Sequence, residues 1–151
     1  MDCDDCVRTR GRIAALNRDW AGAARWFQMV SARSPDIPFA DADWGTMPLA
    51  AGDTIGAIGK FQSANRKGPP FADPLEGWGE ALMAKNQSHL ALAIFAEAEK
   101  YAPNWGRLHL KWGEALVYAG KKDEAKKQFA RAAQLDLTES EKSELAGMNH
   151  V

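Results

Sequence analysis

Trp78-Gly79-Glu80-Ala81-Leu82 returns unchanged as Trp112-Gly113-Glu114-Ala115-Leu116, 34 residues further on. A fixed period of this size marks an array of supersecondary units, each too small to bury its apolar face except against a neighbour. Carried backwards and forwards, the period frames the chain as 4–37, 38–71, 72–105 and 106–139, with no linker residues between frames.

Each column of the frame then has a physical role. Glycine recurs as Gly11, Gly45, Gly79 and Gly113, and a small residue as Ala23, Ala57, Ala91 and Ala125. Such residues let two helices approach closely. Four places later stand Phe27, Phe61, Phe95 and Phe129, which fill the gap beside them, followed by Val30, Ala64, Ala98 and Ala132. Pro35, Pro69 and Pro103 end the first three units by removing a backbone donor, and Leu137 takes that place in the fourth. An aromatic at the seventh place, Trp44, Trp78 and Trp112, is expected to plug the space between successive units; Arg10 stands there in the first.

The columns resemble the tetratricopeptide repeat pattern W-x2-L-G-x2-Y…A-x3-F…P over residues 4–139. The resemblance implies an all-α fold, a right-handed superhelix of four helix pairs plus an end helix, forming a single domain over 1–151. First helices are expected near 5–17, 38–51, 72–85 and 106–119, and second helices near 20–33, 54–66, 88–101 and 122–135. Thr138 and Glu141 form a capping box for a ninth helix over about 139–147. Its Leu145, Ala146 and Met148 are expected to cover the end of the fourth unit, with Glu141, Lys142 and Glu144 facing water. The second unit is expected to be soft, because Pro48 interrupts its first helix at about 3 kcal/mol and Gly56 and Gly59 each cost roughly 1 kcal/mol in its second.

Composition excludes more than it suggests. The 151 residues are 46% apolar and 26% charged with a net charge of −1, and neither half is strongly basic, with nine Lys and Arg against eight acids in 1–71 and ten against twelve in 72–151. No field for nucleic acid follows. Met1 to Cys6 hold three Asp and no apolar run, and no stretch is long enough to span a bilayer, so neither a secretory signal nor a membrane segment is expected, and the setting is expected to be cytoplasmic. Cys3-X2-Cys6 has the spacing of half a zinc site or of a redox dithiol, but His89, His109 and His150 are scattered, so a mobile, reduced pair without metal is expected. The acidic flanks Asp2, Asp4 and Asp5 would raise the thiol pKa. Gly52 to Lys60, GDTIGAIGK, lacks phosphate-loop spacing, and Phe61 follows the lysine where Ser or Thr is needed. Nothing supports an enzyme, and no cofactor is expected. The basic stripe Lys121, Lys122, Lys126, Lys127 and Arg131 reads as a solvated outer face.

The resemblance places the partner site on the inner groove built from the first helices, and implies a protein or peptide partner for a non-enzymatic interaction module or scaffold. The groove positions taken as the site are Arg8, Arg12 and Leu16; Phe39, Asp43 and Leu49; Asp73, Glu76, Glu80 and Met83; and Arg107, Leu110, Lys111, Glu114, Val117 and Tyr118. They make an apolar band and a polar band with an acidic middle. The carboxylate clamp of the family's chaperone-tail receptors is not reproduced: one register puts Asp43, Asp73 and Gly77 where donors are needed, and the other retains only Arg107 and Lys111. The expected ligand is an extended or helical segment with an apolar stripe flanked by Lys or Arg, and the expected state is a monomer or weak homodimer. The alternative is a regulatory or self-association segment of a larger protein, using the end surfaces.

Overall fold

The computed structural model describes residues 3–148 and His150; Asp2, one of the acidic flanks of the cysteine pair, lies outside them. The helices are α1 (Asp4–Leu16), α2 (Trp20–Arg33), α3 (Phe39–Ala50), α4 (Thr54–Arg66), α5 (Ala72–Ala84), α6 (Ser88–Glu99), α7 (Gly106–Tyr118), α8 (Lys122–Ala133) and α9 (Glu139–Met148). Among the described residues there is no strand.

Local chemistry sets the helix ends. Asp19 and Asp53 cap α2 and α4, accepting from the amides of Gly22 and Gly56 at 2.9 Å. The turn inside each pair needs one left-handed residue, and the positions recur with the same period: Arg18 (φ 59°), Gly52 (85°), Asn86 (58°) and Gly120 (79°). Three are Gly or Asn, which adopt that conformation readily; Arg18 does so against the steric preference of its Cβ.

Helices α1 to α8 form four antiparallel pairs, joined in series by α2–α3, α4–α5 and α6–α7 packing. Every pair is held by a phenylalanine ring seated on a glycine. A Cβ on Gly11 would stand 2.7 Å from Phe27, on Gly45 2.7 Å from Phe61, on Gly79 2.4 Å from Phe95, and on Gly113 2.4 Å from Phe129. Phe61 is gripped from both sides, because a Cβ on Gly77 of the next pair would stand 2.4 Å from its ring. Trp78 and Trp112 each pack against two neighbouring core clusters, as expected of plugs between units. Trp44 instead carries the Lys60 ammonium 3.2 Å from its ring centroid.

The superhelix curves because the odd helices are drawn together: α1 touches α3, α3 touches α5, α5 touches α7 and α7 touches α9, whereas among the described residues no even helix touches the next even one. The odd helices therefore line the inner face.

Two expectations are corrected. Cys3 and Cys6 are joined in a disulfide. At the start of α1 one helical turn sets their Cα atoms 5.1 Å apart, within bridging range, and Cys3 caps the helix by accepting from the Cys6 amide. In the end helix, Glu141 does not face water and Glu144 does so only in part. Glu141 closes the capping box, accepting from the Thr138 amide at 3.0 Å while the Thr138 hydroxyl accepts from the Glu141 amide at 3.2 Å, and both acids turn towards cations on α7. Ala146 is exposed, while Leu145 and Met148 pack on the α7–α8 core as expected. Pro48 lies inside α3, as expected. The proline lies in its last turn, and the amides of Gly52 and Asp53 close that end on the Leu49 and Pro48 carbonyls at 3.1 and 2.7 Å.

The narrower join is between α2 and α3, and a buried polar cluster spans it. Asp41, 2% exposed, accepts from Ser31 of α2 at 3.0 Å and Ser63 of α4 at 2.7 Å, and pairs with Lys67 at 2.6 Å. Burial pushes its carboxyl up, but Lys67 and the two hydroxyls outweigh that and hold it below the usual range.

Asp41→Asn should cost about 2–3 kcal/mol in urea unfolding, less than a fully buried pair because Lys67 keeps part of its solvent. Gly59 has nothing within 4 Å of an added Cβ, so Gly59→Ala should raise Tm by about 2–4 °C. Gly56→Ala should give no such gain, since the new Cβ would lie 2.3 Å from the Asp53 carboxylate that caps α4; equal gains at both sites would refute this account.

Candidate functional site

The inner face presents an apolar opening and a cleft of mixed polar and apolar lining, separated by a charged middle. At the amino-terminal end, Arg12, Ala15 and Leu16 of α1 and Asp43, Thr46 and Met47 of α3 surround a cavity of about 350 Å³ floored by Phe27. Leu16 is 84% exposed. Arg8 is committed locally: its guanidinium pairs with Asp43, lies 3.4 Å from Asp5 and stacks 5.3 Å from the centre of the Phe39 ring. Phe39 in turn meets Phe71 edge-on at 5.4 Å, leaving about half of its surface in water.

At the carboxy-terminal end, Met83 and Ala84 of α5, Glu114 and Tyr118 of α7, Asn86 of the α5–α6 turn, and Ser88 and His89 at the start of α6 line a cleft of about 630 Å³. Tyr118 is 69% exposed and Met83 is partly buried against the central core.

The charged middle is mostly self-paired. Arg107 is inserted among three acids: its Nε lies 3.2 Å from Glu76 in ion-pair range, its Nη2 donates to Glu80, and its Nη1 lies 3.6 Å from Glu141 of α9. Lys111 donates to Glu144 of α9 and lies 3.3 Å from Glu114 Oε2. Oxygens of Glu76 and Glu114 remain buried without a hydrogen-bond partner. Burial first, then the neighbouring Glu80, push the Glu76 carboxyl well above its ordinary range despite Arg107. Burial and a hydrogen bond shared with Glu144 push Glu114 up to about 7. Glu144 is held low by Glu114 and Lys111, which outweigh its own burial. Arg107 and Lys111 are desolvated, but the surrounding carboxylates more than compensate and keep both firmly charged.

The structure thus divides the expected groove residues. Leu16, Arg12, Phe39, Asp73 and Tyr118 stand exposed, and Met83 and Leu49 are partly so. Leu110 is wholly buried in the core that α7 shares with α8 and the end helix α9, so it cannot meet a partner while the helices are packed. Val117 leans on that same core and lines a separate cleft of about 250 Å³ with Ala125, Phe129, Leu145 and Met148. Glu76 and Glu114 are buried, and Arg107, Lys111 and Glu80 are ion-paired. Missed by sequence were Ser88 and His89, whose turn the αL residue Asn86 positions, and the pairing of Glu141 and Glu144 with α7. His109, a scattered histidine in the sequence, is buried, with Nε2 donating to the Pro103 carbonyl at 2.8 Å and Nδ1 2.7 Å from the Gln128 amide. Among the described residues no cluster of His, Cys, Asp or Glu is arranged to hold a metal ion, and no helix is long and apolar enough to cross a membrane.

No family model matches the sequence, and no curated protein matches it. Solved structures do. A thermophilic TPR protein of Thermus thermophilus superposes with a TM-score of 0.82 at 22% identity, covering 96% of this chain and 80% of that one. Yeast Tom70 gives 0.82 at 16% identity over 96% of this chain and 32% of its own. YrrB, described as a TPR protein with an unusual peptide-binding site, gives 0.69 at 21% identity over 83% and 65%. At these identities the likeness shows the fold, and that fold is the tetratricopeptide repeat superhelix.

Glu114 titrates higher in the folded chain than its ordinary 4.5, so the folded form holds a proton that the unfolded form releases. Its contribution is complete below about 4.5 and is lost as pH rises through about 7. The Tm of the native chain should fall between pH 5.5 and 8 relative to that of Glu114→Gln, by about 2–4 °C for each 1 kcal/mol lost. Parallel Tm profiles of the two proteins would show that Glu114 does not carry the effect.

Proposed function

We propose that this tetratricopeptide repeat superhelix is a non-enzymatic protein-interaction module whose inner groove holds an extended or helical segment of a partner. The observation that carries this is the pair of openings on one concave face, an apolar one at Leu16 and Met47 and one of mixed lining at Met83 and Tyr118, with Leu16 and Tyr118 left largely in water. An apolar patch kept exposed on a curved face is a docking surface in search of a partner's side chains. YrrB, on the same fold, has a peptide-binding site by its description. A cytoplasmic setting is part of this reading, and a reducing compartment would open the Cys3–Cys6 bridge.

The structure changes how charge would serve such a partner. Glu76 is buried beneath Arg107, so reversing it would disrupt packing as well as alter recognition. Orientation would come from the exposed Asp73, since Glu80 is mostly covered and paired with Arg107. Each large apolar side chain seated in an opening would contribute roughly 1.5–3 kcal/mol, against less than about 1 kcal/mol for an exposed ion pair.

Affinity selection from a displayed peptide library should return segments with an apolar stripe beside Lys or Arg. Tyr118→Glu and Leu16→Glu should weaken them about tenfold or more without lowering Tm, because both side chains are exposed, while Lys126→Glu with Lys127→Glu on the outer α8 should not. Peptides that need those lysines and ignore Tyr118 and Leu16 would refute the groove. Self-association that depends on the exposed Ala133 and Ala146, seen in sedimentation at rising concentration, would favour the α8–α9 end surface instead.

A further inference from the structure

We infer that the Cys3–Cys6 bridge is a thiol–disulfide exchange site for a cysteine of a partner peptide that carries an apolar residue next to that cysteine. The inference stands apart from the groove reading.

The bridge is placed to react rather than to hold the fold. Both cysteines are exposed at the start of α1, and the chain has no third cysteine, so exchange must be with a thiol from outside. A bridge between residues three apart removes little freedom from the unfolded chain, because the stabilisation a disulfide gives grows with the loop it closes. Other ties hold this turn. The Val7 amide donates to the Cys3 carbonyl at 3.0 Å, the Val7 side chain is fully buried, and the hydroxyl of Ser34, at the end of α2, donates to Asp4. The two sulfurs therefore stay within reach of each other when the bridge opens, as a reversible couple requires. Exposed disulfides are as a class the labile ones, open to an attacking thiolate.

The two sulfurs are not equivalent. Cys3 Sγ accepts from the Cys6 amide at 3.1 Å, at a helix start whose amides favour a thiolate. Asp4 and Asp5 oppose that charge, but each already faces a cation: Arg33 lies 3.5 Å from Asp4 and Arg8 lies 3.4 Å from Asp5. Cys3 also borders a cavity of about 250 Å³ with Val30, Ile37, Phe39 and Ala40, and Cys6 does not. Ile37 and Phe39 are each nearly half exposed. An apolar side chain beside an incoming cysteine can be seated there while its sulfur meets Cys3.

These positions assign the steps. A partner thiolate attacks Cys3 Sγ, the Cys3–Cys6 bond breaks, and its electron pair leaves on Cys6, giving a mixed disulfide at Cys3. A second partner thiolate attacks the partner sulfur of that mixed disulfide and releases the Cys3 thiolate. The two thiolates of the chain take up the two protons the partner thiols lost. Two partner thiols have become one disulfide, and the bridge has gained two electrons. The same steps run in reverse when the reduced pair meets a partner disulfide.

The test uses the whole oxidised chain and two probes, N-acetyl-cysteinyl-leucinamide and N-acetyl-cysteinyl-glycinamide, with bridge opening followed by mass spectrometry after thiol alkylation. The leucine probe should open the bridge at least fivefold faster than the glycine probe, and at least fivefold faster than it opens the bridged tetrapeptide of residues 3–6. Ile37→Ser should remove most of the preference for leucine. With the disulfide form of the leucine probe, Cys6→Ser should form a mixed disulfide at Cys3 at least fivefold faster than Cys3→Ser forms one at Cys6. Reduction of the native chain should lower Tm by less than about 2 °C. Equal rates with both probes, equal trapping at both cysteines, or a bridge opened no faster than that of the tetrapeptide would each overturn the exchange site. A larger fall in Tm on reduction would show a structural staple in its place.

Discussion

Every helix pair depends on one contact, a phenylalanine ring lying on the backbone of a glycine in the facing helix. Phe27, Phe61, Phe95 and Phe129 are all buried, and an added Cβ on Gly11, Gly45, Gly79 or Gly113 would enter the ring. This sets how closely the two helices of a pair approach. Phe61, held also by Gly77, transmits that spacing to the next pair. With the spacing repeated, the odd helices converge, the even helices diverge, and the concave face exists as a consequence.

The inner face then imposes a second constraint. Odd helices drawn together bring their polar residues close to one another as well, and charge on this face is partly removed from water. Glu76, Glu114 and Asp41 are all nearly fully buried, yet they settle differently. Asp41 is satisfied by two hydroxyls and Lys67 and stays ionised, making a polar tie across the narrow α2–α3 join. Glu76 and Glu114 are under-supplied with donors, and their carboxyls are pushed up. The end helix contributes two more acids, Glu141 and Glu144, so α9 is docked by charge as well as by Leu145. What reads along the chain as a band of recognition charges is in large part a set of internal ties, and the apolar opening at one end and the mixed cleft at the other are what the face offers outward.

Much of the fold was legible because a solenoid is built from local rules repeated. The period, the Gly, Ala and Phe columns, the proline stops and the Thr138–Glu141 box each act within one unit or between adjacent ones, so helix order and spans followed from residue spacing. The left-handed turn position could also have been seen, since Gly52, Asn86 and Gly120 stand in one column, but Arg18 in the fourth place obscured it. The groove was legible only in outline. Repeat positions say which residues lie on first helices near the inner face, and so found Leu16, Phe39, Met83 and Tyr118.

What spacing did not disclose is how deep each position sits and what it meets across pairs. Leu110 shares a helix with Tyr118, but it is wholly covered while Tyr118 is mostly in water. Lys111 and Glu144, 33 residues apart, meet only once α9 has folded back on α7. Helix identity, helix order and the rise of the superhelix were determined by the sequence itself, because they depend on contacts that recur every 34 residues. Burial, the pairing of Arg107 and Lys111 and the unpartnered oxygen of Glu114 were decided by tertiary structure alone, because they depend on the curvature summed over several units and on an end helix that interrupts the period.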